Sequence, residues 1–377
     1  MKDLGIYIHI PFCKSKCFYC DFYSKPECTN SNIEEYIDTI CMELLANSEL
    51  LQERNITTVY FGGGTPSLID AKYIAKILDI IRLFNNSIEE ITIEANPESL
   101  TKEKLTAYLE AGVNRLSLGL QSANNSTLKK IGRIATKEMF EKAYMDAVEA
   151  GFSNISTDVI IGLPDETLED FKNTVEYILS LEKIKHISAY SLEVHEGTKL
   201  DFLLNSGFLT LPDENTEREM KYMLDKMLEE HLFFRYEISN YAKPKYESKH
   251  NTAYWEQQEY LGLGAAASSF INSTRYTNVP DMDKYIVYMK QGISVKQDIE
   301  EMDLLDTMKE YIILRLRLKE GLNFNEFKLK FKKDVLDMYK VQIDKLVQEG
   351  LLEKDDKGIR LTYKGEDLAN IVWQEFI

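Results

Sequence analysis

Cys13, Cys17 and Cys20 stand in a CxxxCxxC run, Cys13-Lys-Ser-Lys-Cys17-Phe-Tyr-Cys20, directly after an apolar stretch at 5–10. Three thiolates at this spacing can each ligate one iron of a 4Fe-4S cubane and leave the fourth iron open to the amino and carboxylate groups of S-adenosylmethionine (SAM). When reduced, such a cluster passes one electron to the sulfonium and breaks a C–S bond, giving methionine and a 5′-deoxyadenosyl radical. The competing chemistry is a structural zinc site with His9 or Cys28 as fourth ligand. Zinc prefers paired CxxC knuckles, and the spacing here fits it poorly. Cys28 and Cys41 stand apart from the triplet, and Cys41 falls on a predicted helix face, where a thiol behaves as a small hydrophobe.

Other residues that could bind a ligand close short apolar runs. The run 57–61 leads into Gly62-Gly63-Gly64-Thr65-Pro66, and glycines at the carboxyl end of a parallel strand let a ligand approach the backbone. Glu94 in IEANPE, Gln121 in LGLQS and Asp158 in STDVIIGLP are polar side chains that a core would reject, so they belong to an active face. The sequence contains no GxxxxGK[ST], which argues against ATP as the driving cofactor. The segment Tyr260-Leu-Gly262-Leu-Gly264-Ala-Ala-Ala267 superficially matches GxGxxA, but no second strand precedes Asp281 and Asp283. It reads as small residues lining a cavity. Lys14 and Lys16 flank Cys17 on an otherwise acidic chain, and they are expected to help dock an acidic flavodoxin- or ferredoxin-type reductant. Solvated loop lysines are the alternative.

Positioning these residues takes a repeated unit. β-rich runs at 5–10, 57–61, 91–94, 115–118, 155–161 and 187–191 alternate with amphipathic stretches such as 33–47, 71–83, 102–111 and 137–150, two of them stopped by Gly112 and Gly151. The pattern predicts an α/β fold, an open partial (β/α)6 barrel of the TIM type, because full closure uses eight units. That domain is expected over 1–280, including a binding extension at about 235–280. A connection at 281–300 and a smaller C-terminal domain at 301–377 follow. The last domain reads as three helices and a hairpin around Asp355, Asp356 and Gly358, which is winged-helix-like. It lacks a strongly basic recognition helix, so it is expected to pack or cover rather than bind DNA.

Composition removes other classes. The 377 residues carry a net charge of −17, which argues against nucleic acid as a partner. Five cysteines, all within the first 41 residues, are too few and too clustered for a disulfide framework and point to a reducing, cytoplasmic setting. The first residues have neither a basic n-region nor a small-residue cleavage site. No window reaches the apolar length of a membrane span, so any membrane association would be peripheral.

The motif YIHIPFCKSKCFYCDF resembles the opening of the radical SAM, anaerobic coproporphyrinogen-III oxidase family, and within it the haem-chaperone branch; the resemblance spans nearly the whole chain. It implies that Gly63, Gly64 and Thr65 sit in a SAM cradle, that Glu94, Gln121, Arg133 and Asp158 bind SAM, and that Tyr7 and Tyr19 lie beside the cluster. The oxidase pattern CxxxCxxCxC places a further cysteine where this chain has Phe22, and the oxidase carries a long extension before its first strand. Both departures favour the chaperone. His250-Asn251-Thr-Ala-Tyr254-Trp255 is similar to the HNxxYW signature of that branch. The similarity implies haem held by His250, Asn251, Tyr254 and Trp255, with the imidazole as a candidate axial ligand and the rings covering the porphyrin. It also implies an apo-haemoprotein recipient, and it leaves homodimerisation open. The alternative is an oxygen-independent coproporphyrinogen III oxidase of porphyrin biosynthesis.

Overall fold

The computed structural model describes every residue except 27, 28 and 86, so Cys28 lies outside the described residues. Six strands form the parallel array that the alternating pattern predicts: β1 (Lys2–Ile10), β2 (Arg54–Gly63), β3 (Glu90–Ala95), β4 (Arg115–Gln121), β5 (Ile155–Ile161) and β6 (Ile184–Ser191). They are nearly continuous apolar runs because helices cover their outer faces. In β1, for example, Leu4, Ile6, Ile8 and Ile10 are fully buried.

The crossover helices follow local rules. In the helix Ala71–Arg82 the Asp70 side chain accepts the Lys72 N–H, and Ile74, Ile77, Leu78 and Ile81 form its buried stripe. Thr167 and Asp170 make a reciprocal capping box at the start of the helix Leu168–Leu179. Gly151 ends the helix Lys137–Ala150 at φ 112°, a conformation that costs glycine nothing.

The array stays open because neither flank is free to meet the other. On its second side β1 pairs in parallel with Glu259–Leu263, with Leu4 opposite Glu259 and Ile8 opposite Leu263. From there the sheet continues antiparallel through Ser268–Ile271, Thr274–Asn278 and Lys296–Glu301. At the other flank β6 pairs antiparallel with Asn240–Ala242. The described residues give this sheet 12 strands in all. The segment 281–300, expected as a connection, carries the helix Met282–Gln291 and most of the strand Lys296–Glu301. Met282, Tyr285 and Ile286 of that helix join the main core.

A second core, including Ile312, Phe327, Val335, Ile343, Leu346 and Phe376, holds the C-terminal part together. Its order is helix Leu304–Arg315, strand Leu322–Asn323, helices Phe324–Phe331 and Val335–Gln348, then the hairpin Leu352–Lys354 and Gly358–Leu361. This is the winged-helix-like arrangement the sequence suggests. It leans on the barrel through an Arg235–Glu366 ion pair and a Tyr363–Asp225 hydrogen bond.

Candidate functional site

The cysteine loop is stitched to three distant segments. Gly64 and Thr65 donate their N–H groups to Ile10 and Phe12 carbonyls at 2.9 and 2.8 Å, Phe18 N–H donates to Ile131 O at 2.9 Å, and Leu200 N–H donates to Phe18 O at 2.8 Å. Cys13 Sγ lies 3.6 Å from Thr65 Oγ1, which accepts from Asn96 Nδ2 at 2.9 Å. All three thiols line one cavity of about 940 Å³ at the carboxyl ends of the parallel strands. Burial pushes the Cys13 and Cys20 thiols above their ordinary pKa, so a positive partner is needed to hold them as thiolates. Arg133 points Nη1 at Cys17 Sγ, 3.9 Å away, while its Nη2 donates to Asn96 Oδ1 at 3.0 Å and Gly119 O at 2.8 Å.

The same cavity gathers most of the residues that the sequence singled out. Tyr19, Gly63, Gly64 and Thr65 line it, as do Glu94, Gln121, Arg133 and Asp158. Glu94 accepts from Tyr60 Oη at 2.7 Å and from Gly63 N–H at 3.3 Å. Burial, reinforced by Asp158, lifts its carboxyl to about 7. Asp158 is raised by burial, against which Ser188, Arg115, Arg133 and Ser117 stabilise the charge. Gln121 holds φ at 70°, off the usual range for a side-chain-bearing residue. The glycine turn that lines the cavity also has a packing role. A Cβ on Gly63 would meet His9 at 2.5 Å, and one on Gly64 would meet the Pro11 carbonyl carbon at 2.7 Å. These glycines let the turn pack against β1 and the cysteine loop, and the backbone that faces the cavity is a consequence of that packing.

Tyr7 and the His250 segment fall elsewhere. Tyr7 lines a second cavity of about 410 Å³, together with His9, Tyr254, Trp255, Tyr260 and Phe270. The helix Lys249–Trp255 forms the wall between the two spaces, for Asn251 lines the larger cavity while Tyr254 and Trp255 line the smaller. His250 lines neither. It is 1% exposed, its Nδ1 lies 2.8 Å from Thr58 Oγ1, and its Nε2 lies 2.8 Å from Tyr254 Oη. The ring stacks on Tyr60 at 5.0 Å, and burial lowers its pKa to about 3. The imidazole that the resemblance assigns to haem is here hydrogen-bonded at both nitrogens inside the wall. Of the Tyr260–Ala267 segment, Tyr260 and Ala266 line the smaller cavity. Gly264 is instead pressed against Tyr36 and the His9 carbonyl.

The donor set suits an iron–sulfur cluster and SAM. Three thiols share one cavity, Arg133 keeps a buried Nε without a partner, and Glu94 and Asp158 offer carboxylates to an ammonium or a hydroxyl. Among the described residues no three His, Cys, Asp or Glu side chains converge on a single-ion site. A cubane makes no such demand, since each iron takes one thiolate. Cys41 is buried on the helix Asn30–Ala46, away from this space. Sequence reasoning missed Asn96, which joins Thr65 to Arg133, although its place just past β3 in IEANPE was a usable signal. It also missed Arg115 and Trp373, which line the larger cavity and carry no motif.

Comparison with known proteins agrees with this architecture. Residues 7–178 match the family model described as the Radical SAM superfamily, and residues 302–368 match the HemN C-terminal domain. The solved structure of coproporphyrinogen III oxidase (HemN) from Escherichia coli shares the fold, with TM-score 0.86 and 22% identity over 100% of this chain and 90% of that one. Fold and cavity thus define a radical SAM protein with a HemN-type C-terminal module. A curated relative from Lactococcus lactis, named "Heme chaperone HemW", is 36% identical over 100% of this chain and 98% of its own length. Its namesake from Bacillus subtilis is 34% identical over 98% of each. The chain belongs to the HemW family. No described helix is long and apolar enough to cross a membrane.

Proposed function

We propose that this protein is a haem chaperone that carries a 4Fe-4S cluster and SAM in its barrel, binds haem, and delivers it to apo-haemoproteins. The observation that carries the reading is the full-length similarity to curated heme chaperones. Cys13, Cys17 and Cys20 hold the cluster, which when bound and reduced supplies an electron to the SAM sulfonium. Arg133 balances the charge of the Cys17 thiolate, Thr65 and Asn96 fix Cys13, and Glu94, Gln121 and Asp158 orient SAM across the strand ends. The helix Lys249–Trp255 contributes Asn251 to one cavity and Tyr254 and Trp255 to the other, so haem contact falls to its faces rather than to the His250 ring. Lys14 and Lys16 are exposed beside the thiols, which supports docking of an acidic flavodoxin- or ferredoxin-type reductant there.

The test is anaerobic reconstitution followed by iron and sulfide analysis, haem titration, and transfer of the bound haem to an apo-haemoprotein. Haem binding and transfer without protoporphyrinogen formation from coproporphyrinogen is the expected result. Protoporphyrinogen formation would instead establish the oxidase, and zinc in place of iron would overturn the cluster.

A further inference from the structure

A buried guanidinium lies at the floor of the larger cavity. Arg115 is the first residue of β4, and residues 115, 117, 119 and 121 all line the space, as alternation along a strand dictates. At about 3.3 Å per residue, Arg115 lies roughly 20 Å along the strand from Gln121 at the mouth. It is 1% exposed and among the largest fully buried side chains. Among the described residues nothing hydrogen-bonds its guanidinium and no carboxylate stands within ion-pair distance, and its Nε is buried without a partner. Thr92, opposite it in the neighbouring strand, also holds a buried hydroxyl oxygen without a partner.

The nearby acids are already engaged. Glu90 accepts the N–H groups of Lys249 and His250, each at 3.0 Å, and Asp158 accepts from Ser117 at 3.4 Å. His186 and His250, which face the same cation, have their basicity depressed by burial and by Arg115 itself. A buried guanidinium with no partner is costly, and its planar fork matches a carboxylate in bidentate fashion. The planar fork favours a carboxylate, and the nearby Glu90 and Asp158 would repel a phosphate dianion more strongly than a singly charged group.

We propose that Arg115 is the receptor for a carboxylate of the molecule that enters the larger cavity. Resting on the haem reading above, that group is a haem propionate. Arg115 thereby orients the porphyrin with one acidic edge down, toward the barrel floor.

The test compares haem with haem dimethyl ester, whose propionates are blocked, by titrating each into the full-length, cluster-loaded protein. Binding is read from the Soret band and from quenching of Trp255 and Trp373, the two tryptophans of the chain. Haem is expected to bind about tenfold or more tighter than its ester. Arg115→Gln removes that preference by weakening haem alone, and Arg115→Lys restores part of it. Thermal unfolding checks that the variants fold, and if they do not, the comparison on the unaltered protein decides. Equal affinity for haem and ester, or an undiminished preference in a folded Arg115→Gln variant, overturns the proposal and leaves the haem reading standing. Failure to bind either compound overturns both.

Discussion

The Arg133 guanidinium stands 3.9 Å from the Cys17 sulfur while donating to the Gly119 carbonyl on β4. The two contacts tie the charge beside one thiol to the geometry of a barrel strand. A Cβ on Gly119 would lie 2.7 Å from Arg133 Nη2, so a single methyl group there displaces the cation. In both Gly119→Ala and Arg133→Leu the reconstituted cluster should become harder to reduce. The expected shift is negative and on the order of 50 mV, since cluster potential follows local charge and hydrogen bonds to sulfur. A redox titration followed by electron paramagnetic resonance measures it, and an unchanged potential in both variants would remove Arg133 from the cluster's surroundings.

Each of Cys13→Ala, Cys17→Ala and Cys20→Ala should abolish stable iron and sulfide retention under anaerobic conditions, whereas Cys41→Ala should leave it intact. The former three line the cavity and the last packs in the core. Iron and acid-labile sulfide per chain give the answer directly.

Glu94 titrates at about 7 in the folded protein because burial and Asp158 disfavour its charge. Its folded-state value lies above that of the unfolded chain. Its contribution to stability is therefore fullest at acid pH, below the unfolded value, and is lost as pH rises through about 7. On the proposal that Glu94 accepts a hydrogen bond from SAM, ligand binding runs the other way, because the ionised carboxylate is the stronger acceptor. Affinity of the cluster-loaded protein for SAM should rise roughly eightfold from pH 6 to 7.5, the gain in ionised fraction for such a group. Glu94→Gln should bind SAM about tenfold more weakly and lose this pH dependence. Equilibrium dialysis across that range would expose a flat profile in the unaltered protein.

His250→Ala should act on stability. Removing a fully buried ring with two hydrogen bonds, stacked on Tyr60, should cost about 2–4 kcal/mol in urea unfolding. The Soret position of the haem-bound variant is expected not to move, because both ring nitrogens are hydrogen-bonded to Thr58 and Tyr254 rather than presented to a cavity. A shifted Soret band with unaltered unfolding would reverse this assignment.

Glu166 is 4% exposed, and burial lifts its carboxyl to about 8. One oxygen accepts the Leu163 N–H at 3.2 Å and the other has no partner. Its raised value means that folding is disfavoured as pH climbs from the unfolded value toward about 8. Glu166→Gln keeps an acceptor and removes the charge, so Tm should rise by about 2 °C or more at pH 9 and change little at pH 5. Calorimetry at the two pH values separates these outcomes.

The six parallel strands and their helices were readable from periodicity because their burial is continuous and their caps are ordinary. The strand Lys296–Glu301 was not, since every one of its residues is exposed and no hydrophobic alternation marks this edge. Glu94 and Gln121 near strand ends stood out against apolar runs, as did Asp158, which the structure places in mid-strand rather than at the expected end, and all three reach one cavity. Arg115 did not, for a charged residue opening a strand looks like an ordinary boundary until the barrel turns it inward. The burial of His250 was not legible for a related reason: spacing reports which residue types are present, whereas packing shows both ring nitrogens hydrogen-bonded.

The cysteine loop is pinned by β2's glycine turn, by Ile131 and by Leu200, partners between about 45 and 180 residues downstream. Such contacts form only when the chain has closed over long distances. The three thiols are close in sequence, but the loop that carries them takes its final shape only once much of the barrel is in place. A substitution that loosens the chain at Ile131 or Leu200 therefore reaches the cysteine loop from more than 100 residues away.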